Sequence, residues 1–152
     1  MKYKREVIYV ACPYGHNKTS VKTFRVIVAS LVTSTLISEG FVALSPLTHS
    51  SMLQLNTEII KPEEVWRKHG LVLLERCDRV LVICMDGWKK SEGVKLETEL
   101  ALELHIPVTF YYPSDTMLAA ANRLHRSGVL LFNVFWLSVA VSIISTILLL
   151  TT

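Results

Sequence analysis

From Ser127 to Thr152 the chain carries no charged side chain, and Val129 to Leu150 is almost wholly Leu, Ile, Val, Phe, Trp and Ala. Coiled into a helix, these roughly 22 residues reach about 33 Å at ~1.5 Å per residue, enough to cross a hydrocarbon core of ~30 Å. Arg123, His125 and Arg126 stand just before the run and only Thr151 and Thr152 follow it, which by the positive-inside rule puts the preceding chain in the cytoplasm. The expectation is a tail anchor: one transmembrane helix over residues 128–150, with a lipid bilayer as partner. A C-terminal helix buried in an oligomer core is the alternative. Such helices are shorter and keep a polar face, which Asn133, Ser138, Ser142, Ser145 and Thr146 do not make. Ser138, Ser142 and Ser145 or Thr146 recur at helical spacing and suit a small-residue contact between spanning helices. At the other end, Met1 to Glu6 is charged and Val7 to Ala11 is too short for the apolar core of a signal peptide.

The run supplies the excess in an apolar content of 51 %, so what precedes it reads as one ordinary domain over residues 1–113 and a linker or short helix over 114–127. All 16 Lys and Arg and all 13 Asp and Glu lie before Ser127, for a net charge of +3. No basic cluster interleaved with aromatics accompanies it, so nucleic acid is not an expected partner. Cys12, Cys77 and Cys84 are odd in number and lack metal-ligand spacing. They read as reduced, with Cys77 and Cys84 in the core. No P-loop, dinucleotide glycine fingerprint or metal constellation is present, and neither cofactor nor metal is expected.

Val7 to Ala11 reads as a buried strand stopped by Cys12-Pro13-Tyr14-Gly15. Apolar residues at three and four from Val21 to Leu36 predict a helix over Ser20 to Ser38, ended by Gly40. Phe41 to Leu44 is a second strand, Ser45 to Asn56 a polar irregular loop, and Lys61-Pro62-Glu63-Glu64 opens a helix running to about Arg76. Val80 to Met85 is a strand without alternation, as suits one covered on both faces. A loop follows from Asp86 to Gly93, then a helix over Val94 to His105 and a strand over Pro107 to Tyr112. Strictly alternating strands and helices predict an α/β fold, a parallel sheet with helices on both faces.

Ligands of such sheets sit at the carboxyl ends of the strands, where Cys12 to His16, Ser45 to His49 and Asp86 to Gly93 converge. On the next helix Glu97 shares its face with Val94, Leu100, Ala101 and Leu104, whereas Glu99 shares a face with Lys95 and Glu103. Glu97 is then either a capping acid bonded to local amides or a carboxylate held for chemistry.

The segments Ile8 to His16, Arg25, Ser45 to His49 and Asp86-Gly87-Trp88 through Ser91-x-Gly93-Val94-x-x-Glu97 resemble the bacterial and phage family called domain of unknown function 1937, over about Val7 to Tyr112. That family is similar to the nucleoside 2-deoxyribosyltransferase superfamily, which implies a flavodoxin-like or Rossmann-like fold. The superfamily's nucleophile motif falls on Glu97. The resemblance therefore implies attack by Glu97 on C1′ of a nucleoside, nucleotide or nucleotide-derived small molecule, through an oxocarbenium-like transition state. Tyr9 matches a supporting tyrosine. The resemblance also implies an oligomer whose subunits complete each other's sites, so a homo-oligomer is a possible partner state.

Where the transferases have an aspartate handling the base, this chain has Ser91, which resembles the branch hydrolysing 2′-deoxynucleoside 5′-monophosphates. Ser91, Gly93 and the helix N-terminus form a candidate phosphate cradle, and Asp86 is the candidate acid for the departing base or a turn residue. Gly87 and Trp88 lie in the same loop, Trp88 either stacking on a base or covering the pocket. Cys12, Pro13, Tyr14, His16, Arg25 and His49 complete the candidate contacts. Three functions follow: a membrane-anchored N-glycosidase or deoxyribosyltransferase, a non-catalytic module that binds a nucleotide derivative and signals at the membrane, or a structural phage or envelope component with a decayed site.

Overall fold

The computed structural model describes residues 6–53 and 63–128. The proposed transmembrane helix, from residue 129 onward, lies outside the described residues, as do the Lys61-Pro62 opening of the third helical region and positions 54–56 of the expected loop.

Four strands, β1 (Val7–Ala11), β2 (Val42–Leu44), β3 (Arg79–Ile83) and β4 (Val108–Tyr111), form a wholly parallel sheet in the order β2-β1-β3-β4. This is the start of the flavodoxin-like order 2-1-3-4-5. Tyr9 is in register with Leu44 on one side and Val80 on the other, and Val80 with Val108. The helices are α1 (Thr19–Ser38), α2 (Pro46–Leu53), α3 (Glu63–Leu74) and α4 (Glu92–Glu103), followed by a helical stretch over 115–128.

Alternation along the strands divides the core in two. Ile8, Val10 and Ile83 point to one face and bury Val28, Ala29 and Val32 of α1 with Ala121. Tyr9, Ala11, Val80 and Val82 point to the other, against Leu74, Val94 and Ala101 from α3 and α4. Both faces are thus covered, as βαβ crossovers require. Among the described residues α1 is the one helix long and apolar enough to cross a membrane by length and composition; Val28, Ala29 and Val32 on one side of it pack on the sheet. Gly40 ends it at φ 89°, with amides of Gly40 and Phe41 returning to Ile37 and Leu36 carbonyls, a left-handed stop open to glycine.

One expectation needs correction. Ser45 to Asn56 is not an irregular loop throughout, because Pro46–Leu53 is helical. Buried Ser45 caps it by accepting from the Thr48 amide at 3.4 Å, and Pro46 occupies the first turn, where its missing N–H costs nothing. Of the two alternatives for the segment after the sheet, linker or short helix, residues 115–128 take the helical one. Ser114 Oγ accepts from the Met117 amide at 3.3 Å, and Met117, Leu118 and Ala121 join the α1-side core. Elsewhere the boundaries move by a residue or two: α4 starts at Glu92 rather than Val94 because Ser91, not the loop's end, is its cap.

Candidate active site at the carboxyl ends of the strands

Tyr9 projects from the middle of β1 toward α4, and its hydroxyl donates to Glu97 Oε1 at 2.7 Å. Tyr9 is fully buried and Glu97 half-buried at the floor of a cavity of about 1300 Å³. Burial lifts the Glu97 carboxyl to about 7, against the opposing pull of the Tyr9 hydrogen bond. The Tyr9 phenol is pushed upward as well, by burial first and then by the adjacent carboxylate, so it stays a neutral donor. α3 comes close enough to touch this pair because position 70 lacks a side chain: a Cβ on Gly70 would stand 3.2 Å from the Tyr9 hydroxyl. The outward-facing Glu99 instead meets Lys95 at 3.8 Å, both well exposed, as the face argument requires.

Two loops form the walls, and Arg25 ties them together. This side chain is 6 % exposed; it donates to the Gly15 carbonyl at 2.9 Å and to the Asp86 carbonyl at 2.7 Å. The expected ligand contact is therefore preceded by a structural one, in which the guanidinium fixes the loop after β1 to the loop after β3. Gly87 follows at φ 81°, where a Cβ would press on Arg25 Nη2 at 3.1 Å, so a bare, left-handed residue is needed twice over. The 3-10 turn Trp88–Lys90 comes next, and Ser91 caps α4 by accepting from the Val94 amide at 3.4 Å. Asp86 and Gly93 are exposed at the cavity rim. Trp88 is half-buried, 5.3 Å from the Phe110 ring, with the Lys89 ammonium 5.6 Å above it.

Of the other sequence-predicted residues, Cys12, Tyr14 and His16 line the cavity. Burial pushes the Cys12 thiol up to about 12 despite the nearby Arg25 charge, which makes it a poor nucleophile. His16 Nδ1 accepts from the Lys18 amide at 3.0 Å. Pro13 is buried beneath the loop and His49 stands behind the wall, stacked on His69 at 5.8 Å; neither is among the lining residues. Sequence reasoning missed Trp66, Arg67, His69 and Gly70, which line the cavity from α3. A glycine inside a helical pattern was the available signal, since it marks a close approach.

The family model for domain of unknown function 1937 (DUF1937) matches residues 6–113. The chain belongs to this family. No curated protein was found that matches it. The DUF1937 segment contains all four strands and every residue lining the cavity. In this DUF1937 domain the lining carries Lys22, Arg25, Arg67, Lys89 and Lys90 against Asp86, Glu92 and Glu97, a balance that favours an anionic ligand. Among the described residues no group of three or more His, Cys, Asp or Glu is arranged to hold a metal ion. The chemistry on offer is that of one half-buried carboxylate with a fixed neutral donor, below an open, cation-rimmed pocket.

Proposed function

We propose that the chain is an N-glycosidic enzyme related to the nucleoside 2-deoxyribosyltransferases, acting on a nucleoside or nucleotide through Glu97. The observation that carries this reading is the 2.7 Å bond from Tyr9 to Glu97 at the floor of the cavity. Tyr9 holds one carboxylate oxygen, and the other attacks C1′. The C1′–N bond breaks as the C1′–O bond forms, and the base leaves with a proton from Asp86 at the rim. Water, or a second base, then displaces Glu97. A desolvated carboxylate stabilises the oxocarbenium-like transition state more strongly than a hydrated one.

The test is base release from nucleosides and 5′-mononucleotides by the full chain and its Glu97→Gln variant. Release that disappears in the variant supports the reading; release that persists removes Glu97 from the role of nucleophile. Because a nucleophile must be ionised, kcat/KM should rise with pH through about 7.

A second reading, a non-catalytic module binding a nucleotide derivative, is favoured by how the polar groups are already used. Ser91 is occupied as a helix cap, Arg25 by two carbonyls, and Asp86 is exposed. It predicts ligand binding with no base release. In either reading we propose that the apolar run Val129 to Leu150 anchors the chain in a membrane with the α/β domain on the cytoplasmic side; its support is sequence length and charge asymmetry alone. Extraction of the chain from membranes by alkaline carbonate would overturn that proposal.

A further inference from the structure

The cavity above Glu97 is larger than a single nucleoside needs: about 1300 Å³, where pockets for one small ligand run ~300–1,000 Å³. The surplus has a wall of its own. α3 has no part in the chemistry proposed for Glu97, yet it turns Trp66, Arg67 and His69 toward the cavity. The cations are dispersed in the same way, Lys22 and Arg25 on α1, Arg67 on α3, and Lys89 and Lys90 after β3. Positive charge spread over three elements along the cavity suits an anion lying between two bound moieties. Each part of the cavity also has a tryptophan. Trp88 already carries Phe110 and Lys89 against its ring, while among the described residues Trp66 has no aromatic partner. Its indole lines the cavity as a second platform for a base, and stacking on such a face tolerates any base.

We infer that the ligand is a phosphate-bridged dinucleotide, held with one nucleoside over Glu97 and the other against Trp66 and His69, and with Arg67 drawing the bridging phosphates. The inference rests on the N-glycosidic reading for the fate of the first nucleoside but not for the binding of the second. In the reaction the C1′–N bond of the first nucleoside breaks as the C1′–O bond to Glu97 forms. Asp86 gives its proton to the departing base. Water then supplies oxygen to C1′ and returns the proton, so the products are the free base and a dinucleotide lacking that base, with the phosphate bridge intact.

The full chain carrying Glu97→Gln, which binds without turning over, is titrated calorimetrically with adenosine 5′-monophosphate, adenosine 5′-triphosphate and diadenosine 5′,5′-pyrophosphate, and with the cytidine counterparts. The dinucleotides should bind about tenfold or more tighter than the monophosphates. Trp66→Ala and Arg67→Ala should each remove about a tenfold share of that affinity, and Trp66→Phe should retain most of it, which separates a lost platform from a lost fold. Triphosphates binding as tightly as dinucleotides would overturn the inference and leave a polyphosphate site; dinucleotides binding no tighter than monophosphates, or not at all, would also overturn it. Base release from mononucleotides with no dinucleotide preference sinks this inference alone. Tight dinucleotide binding with no base release by the wild-type chain sinks the glycosidic reading and leaves the dinucleotide site standing.

Discussion

On one face of the sheet Ile8, Val10 and Ile83 meet Val28, Ala29, Val32 and Ala121 in a layer of hydrocarbon. On the other, Tyr9 meets Leu74, Val94 and Ala101, but also a carboxylate and a cavity. Both faces are buried, and adjacent residues of one strand serve them. Ile8 and Tyr9 are 2 % and 0 % exposed, so burial alone does not separate them. What separates them is the partner. A residue whose contacts are all apolar contributes to stability by excluding water, whereas a residue that turns a polar atom toward an ionisable group sets that group's charge and position. The comparison is broken if the two faces respond alike to substitution.

The largest effect is expected at Glu97. With the carboxylate as nucleophile, Glu97→Gln lowers kcat by about a thousandfold or more, since no other group on the floor can form the bond. Steady-state base release read beside ligand affinity checks this, with affinity expected to survive. Next come the two neighbours of β1, whose effects should be exchanged. Ile8→Ala opens a cavity in the apolar layer and costs roughly 2–5 kcal/mol in denaturant unfolding, with turnover per folded molecule unchanged. Tyr9→Phe keeps the ring and its packing, so stability moves by less than about 1 kcal/mol, while loss of the bond to Glu97 lowers kcat on the order of 10–100-fold. An Ile8 variant that loses turnover, or a Tyr9 variant that loses only stability, would mean that the two faces are not distinct in function.

A smaller effect lies in the pH dependence of stability. Folding raises the Glu97 carboxyl from 4.5 to about 7, so the folded state holds a proton there that the unfolded chain has released. Between those values the folded state binds more protons, and its stability falls as pH rises through the window and levels off above it. The cavity admits water, which reduces the effect to roughly 1–2 kcal/mol. Glu97→Gln lacks the decline, and its unfolding midpoint relative to wild type should therefore be higher at pH 8 than at pH 5. A difference that does not change between those pH values would place the Glu97 carboxyl in an ordinary solvated setting.

The two faces were unequally legible in sequence. Parallel strands covered on both sides are continuous apolar runs, and α1 repeats at three and four, so the order of elements and the apolar layer follow from local patterning. The face bearing Glu97 was also legible, because one helix turn places it beside Val94 and Ala101. Its pairing with Tyr9 was legible only through the family resemblance, and the role of α3 was not legible at all, since it depends on how distant elements pack: Gly70 approaches the Tyr9 hydroxyl only once α3 lies on the sheet. Arg25 reads in sequence as a candidate ligand contact, yet its partners are two backbone carbonyls, which leave no mark in side-chain identity. α2 was lost for a different reason. The polar composition after Ser45 outweighed a local Ser-Pro start signal that was present in plain view.

The smallest effect is the sharpest control, because it changes the same chemical group on the same helix. Glu99 lies two residues beyond Glu97, on the far side of α4, paired with Lys95 at 3.8 Å with both side chains more than half exposed. Water solvates either ionisation state there, and an exposed pair at this spacing contributes only about 0.3–0.5 kcal/mol. Glu99→Gln should therefore shift the unfolding free energy by no more than that, lose even this in high salt, and leave kcat, KM and the pH profile where they were. Substituting one carboxylate then abolishes turnover, and substituting the other, two residues along the same helix, does almost nothing. Equal losses from both would show that α4 responds to lost negative charge as a whole, and that the inward placement of Glu97 has no special consequence.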